Sequence, residues 1–79
     1  MSPDKLVRMI NQIAQFHARR SEEEAAKLVS SHLQRFWDPR MRAGIIAYAG
    51  TGGAGLCRVA ALAVEYLATE ARAHTAHHQ

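Results

Sequence analysis

The chain has 79 residues, 48% of them apolar, with ten basic against seven acidic side chains and a net charge of +3. That length allows one domain, whose core supplies about 3–5 kcal/mol unless something staples it. Cys57, the single cysteine, excludes an internal disulfide and suits a reducing compartment.

The apolar content argues against wholesale disorder. Glu22, Glu23 and Glu24 lie close to Arg19, Arg20 and Lys27, so the charge excess is not gathered into the basic stripe of a nucleic-acid binder. No stretch approaches the roughly 20 apolar residues that span a bilayer. No basic stretch followed by an apolar run marks a signal peptide. A soluble, cytoplasmic protein that uses neither nucleic acid nor membrane is expected, with a partner protein as the remaining staple.

Ser2, Pro3 and Asp4 open the first helix: a cap, a proline at the first helical position and an acid at the positive end of the dipole. Leu6, Met9, Ile10, Ile13 and Phe16 recur at three- and four-residue steps and form one apolar face. That helix is expected to end near Arg19. Ser21-Glu22-Glu23-Glu24 then reads as a capping box, with Glu24 reaching back to the Ser21 amide. Ala25, Leu28, Val29, His32, Leu33 and Phe36 form the apolar stripe of the second helix. The short connection makes the first two helices a helical hairpin.

Pro39 disfavours a helical Asp38, so the second helix stops there and Asp38 caps a third, from about Pro39 to Ala49. Met41, Ile45, Ile46 and Tyr48 are its packing candidates, and Gly44 within it costs roughly 1 kcal/mol relative to alanine. The glycine-rich run Gly50 to Gly55 is expected to be a flexible loop. Leu56, Val59, Ala60, Leu62, Ala63, Tyr66 and Leu67 mark a fourth helix to about Ala73. The fold expected is all-α, a small bundle of about four helices beginning with a helical hairpin. Residues 1–73 form a single helical domain, and 74–79 a flexible C-terminal tail.

Chemistry-bearing patterns are few. Gly50-x-Gly52-x-x-Gly55 has the spacing of a dinucleotide-binding turn, but that turn needs a strand before it and parallel strands around it. The surrounding residues read as helix, so a connector is expected and no cofactor. His74-x-x-His77-His78 lacks neighbouring ligands for a structural metal site and reads as a solvated tail. His17 and His32 read as boundary or interface histidines. Cys57, at the start of the fourth helix, reads as a small packing residue rather than a reactive thiol. No catalytic set is evident.

The dense cluster is Phe36-Trp37-Asp38-Pro39-Arg40-Met41-Arg42. Adjacent aromatic residues point in different directions on a helix, and Trp and Arg dominate interface hot spots. Phe36 and Met41 are therefore expected in the core, Asp38 and Pro39 at the corner, and Trp37, Arg40 and Arg42 against a partner.

The run from Asp4 to Phe16 resembles the opening of the delta subunit of the NAD-dependent, molybdenum-containing formate dehydrogenases. Phe36 to Arg42 resembles that family's second signature, and the glycine-rich connector also has a counterpart. The matching residues are Lys5, Arg8, Met9, Asn11, Gln12 and Phe16, then Phe36 through Arg42. The final helix, notably apolar from Leu56 to Leu67, and the histidine-rich tail depart from the family.

The resemblance implies a non-catalytic accessory subunit of a formate dehydrogenase complex. The larger subunits carry the molybdenum cofactor, iron–sulfur clusters and flavin, and this subunit supports assembly, cofactor loading or stability. The partner-interface expectation combines Lys5, Arg8, Asn11 and Gln12 on the first helix with Trp37, Arg40 and Arg42, packing on the large molybdenum subunit. The rival expectation is a free-standing homo-oligomeric helical adaptor.

Overall fold

The structure is a computed structural model that describes the backbone of residues 2–77 and the side chains of residues 2–73. It contains four helices: α1 (Pro3–Phe16), α2 (Glu22–Phe36), α3 (Pro39–Gly50) and α4 (Arg58–His77). The all-α bundle is as expected, and each helix start follows from a local signal. The Ser2 hydroxyl accepts from the Lys5 amide at 3.4 Å, the Ser21 hydroxyl from Glu24 at 3.1 Å, and the Asp38 carboxylate from Met41 at 2.9 Å. Each satisfies an amide that has no partner within its helix.

Two boundaries differ in detail. α1 ends at Phe16, not near Arg19, with His17 as its C-cap and turns carrying the chain to Ser21. In the capping box, Glu24 accepts from the Ser21 hydroxyl at 3.2 Å instead of from the Ser21 backbone amide. α4 continues as helix through His77, past the expected end at Ala73. The side chains from His74 onward, and residues 78–79 altogether, lie outside the described residues.

The core combines Leu6, Ile10 and Ala14 of α1 with Ala26, Val29 and Leu33 of α2, Ile45 of α3, and Ala60, Ala63, Val64 and Leu67 of α4, joined by Trp37. α2 packs most extensively on α4, more than on its hairpin neighbour α1. Small residues account for this. Ala26 and Ser30 on α2, with Ala60 and Ala63 on α4, are all buried, and their short side chains let two helix backbones approach closely. Gly44 plays the same part between α1 and α3. A Cβ at that position would lie 3.0 Å from Leu6 Cδ1, so the glycine that weakens α3 also makes room for a core leucine.

The glycine-rich connector is better anchored than a flexible loop. Gly52, Gly53 and Gly55 all have positive φ, the left-handed conformations that glycine adopts without a Cβ clash. The Tyr48 hydroxyl donates to the Ala54 carbonyl at 2.7 Å. From α1, the Asn11 side chain donates to the Gly55 carbonyl at 2.8 Å and accepts from the Cys57 amide at 3.0 Å. Cys57 itself is exposed instead of packed, and its carbonyl accepts from the Ala61 amide at the start of α4. Residues 45–49, which precede the connector, lie within α3, so no strand leads into the glycine-rich turn.

Candidate functional site: the corner and the aromatic face

The expected cluster is a corner between α2 and α3, and the structure exchanges the places of its two aromatics. Trp37 is 5% exposed and belongs to the core, whereas Phe36 is 71% exposed. The reason lies in the register of α2. Its buried side runs through Ala25, Ala26, Val29, Ser30 and Leu33, and the four-residue step from Leu33 lands on Trp37. The alternative row, Leu28, His32 and Phe36, also steps by four but turns away from α4, leaving Leu28 and Phe36 exposed. The small residues Ala26 and Ser30 were the signal in the sequence that marks the α4-facing side.

Arg42 holds this corner together. Its guanidinium donates to the carbonyls of Trp37 and, at 3.4 Å, of Gln34. Carbonyls at a helix C-terminus have no intrahelical donor and carry the negative end of the dipole, so a cation there satisfies both. Arg42 thus closes α2 from the first turns of α3. Trp37, Arg42 and Asn11, all expected at a partner interface, are engaged within the chain. Trp37 in particular has little surface left for a partner to cover. Lys5, Arg8, Gln12 and Arg40 are exposed, as an interface requires.

A surface with exposed aromatic side chains lies where α1, α2 and α3 meet. A shallow groove of about 360 Å³ is lined by Met9, Ile13 and Phe16 of α1, His32 and Phe36 of α2, and Met41 of α3. Gln12 and the edge of Trp37 complete it. Phe16, placed on the core face by periodicity, is 88% exposed because α1 ends there and nothing follows to cover it. The His32 and Phe36 rings stack at 4.7 Å with a 42° tilt, one helical turn apart. No group of three or more His, Cys, Asp or Glu side chains among the described residues is placed to hold a metal ion. Among those residues, no helix is long and apolar enough to cross a membrane.

A family model described as "NADH-dependant formate dehydrogenase delta subunit FdsD" matches residues 5–64. The chain belongs to that family. The match takes in nearly all of α1, the whole of α2 and α3, the glycine-rich connector and the first part of α4. It therefore covers both the corner and the aromatic groove. No curated protein and no solved structure matches the chain. As a delta subunit of formate dehydrogenase, the chain is one component of a complex with other subunits.

Proposed function

We propose that this delta subunit is a non-catalytic accessory subunit, supporting assembly, cofactor loading or stability of its formate dehydrogenase by packing on the larger subunits. The molybdenum-containing subunit is the first of these. The observation that carries this reading is the family match over residues 5–64, which spans the part of the bundle whose apolar groove is left open. A domain of this size has a thin stability margin, and binding a larger partner adds to it by mass action. In this reading the subunit is cytoplasmic, binds no cofactor of its own, and presents Lys5, Arg8, Gln12 and Arg40 beside the contact.

Co-expression of the larger subunits with and without this chain tests the proposal. The expected result is a lower yield of assembled enzyme, lower molybdenum content, or faster loss of activity on storage when the chain is omitted. Equal yield, metal content and lifetime without it would remove the accessory role.

A further inference from the structure

We propose that the α1–α2 groove receives an amphipathic helix of a larger subunit whose apolar ridge is flanked by carboxylates. The inference rests on the accessory-subunit reading and adds the residues and the chemistry of the contact. Phe16 and Phe36 stand at the groove as its most exposed large apolar side chains, with Met9, Ile13, His32 and Met41 between and beneath them. A groove between two helical ridges is the shape that accepts the apolar face of a third helix. Aromatic anchors of this kind supply most of the energy of such contacts.

The rim sets the partner's charge. Arg8 shares a four-residue row with Gln12 and Phe16 on α1, Arg35 adjoins Phe36, and Arg40 adjoins Met41. All are exposed, and among the described residues none of these arginines has an ion-pair partner. The glutamates near the start of α2 are paired elsewhere: Glu24 with Arg20, Glu23 with Lys27, and Glu22 with Arg58. Asp38, beside Trp37, caps α3 while keeping its charge, and Asp4 lies one turn before Arg8 on α1, so the arginines are offset only in part. The exposed residues that adjoin the groove's lining in sequence therefore carry a net cationic excess, which complementary carboxylates on a partner would neutralise and which steers association.

The same edge disfavours a second copy of this chain as occupant. A two-fold interface sets one patch against itself, so a cationic edge would be brought toward a second cationic edge. Like charges facing across an interface oppose association.

The test uses the whole complex, with this chain tagged and co-expressed with the larger subunits. Variants are Phe16→Ser with Phe36→Ser, Arg35→Glu with Arg40→Glu, and Thr69→Ala on α4 as a control remote from the groove. Helicity of each purified variant is checked by circular dichroism. The phenylalanine pair is expected to reduce recovery of the larger subunits by about tenfold or more with helicity intact. The charge reversal should reduce recovery at low salt and leave a retention that no longer falls as salt rises. Thr69→Ala should behave as the unaltered chain.

Undiminished recovery with the phenylalanine pair would overturn the groove proposal while leaving the accessory role standing. Failure of the unaltered chain to recover any larger subunit would instead remove the reading on which the proposal rests. An isolated chain that sediments as a stable dimer, broken by the phenylalanine pair while complex recovery is unchanged, would assign the groove to a second copy and overturn the proposal. Recovery and salt dependence both unchanged by the charge reversal would sustain the apolar contact and overturn the carboxylate flanks.

Discussion

Helix α2 has two apolar sides, and they are built from different residues for different work. The side toward α4 carries Ala26, Val29, Ser30 and Leu33, all buried, and leads into Trp37 at the corner. The other carries Leu28, His32 and Phe36, with Leu28 and Phe36 exposed and His32 half-buried. The outward side thus carries an exposed phenylalanine, while the inward side sets Ala26 and Ser30 beside Val29 and Leu33 before reaching the buried Trp37. Close approach of backbones at the small residues lets the larger ones between them pack densely. The bulk left over is the exposed surface on which the proposed contact rests.

The contrast can be broken first at Trp37. Trp37→Ala should cost about 3–5 kcal/mol, comparable with the whole stability of a core this size, and leave a largely unfolded chain. Urea unfolding followed by circular dichroism reads this directly, and a cooperative transition at the unaltered midpoint would contradict the core position of Trp37. Ala63→Leu probes the seam itself. Extra methylenes between α2 and α4 should cost about 1–3 kcal/mol, seen as a lower urea midpoint, and no change would show the seam to be loose.

A smaller loss is expected at the connector. Asn11→Ala removes the bonds to Gly55 and Cys57 that tie the connector to α1 and should cost about 1 kcal/mol. Faster hydrogen exchange at the Cys57 amide is its local signature, and unchanged exchange there would detach Asn11 from the connector. The smallest effect on stability belongs to Phe36→Ala, expected within about 0.5 kcal/mol because the ring is already in water. A midpoint shift as large as that of Ala63→Leu would merge the two sides of α2 and end the distinction.

The helix starts were legible because caps are local. Ser2, Ser21 and Asp38 each sit three residues before the amide they satisfy, and Pro39 stops one helix while opening the next. The candidate site was legible only as a neighbourhood. The cap and proline within Phe36 to Arg42 mark a corner, yet composition alone does not say which aromatic faces inward. The arginines were equally open. Arg42 is taken up by the carbonyls closing α2, whereas Arg40 stays exposed, though they lie two residues apart on one helix.

By itself the sequence determined the all-α class, the order and starts of the helices, and a family likeness that the match over residues 5–64 supports. These depend on caps, prolines and short-range periodicity, which act within a few residues. The tertiary structure alone decided that α4 packs chiefly on α2, that Asn11 anchors the connector, and that Trp37 rather than Phe36 enters the core. Periodicity makes both the Leu28–Phe36 row and the Leu33–Trp37 row plausible inward faces. Which one is buried depends on where another helix comes closest, and the small residues of α4, distant in sequence, determine that.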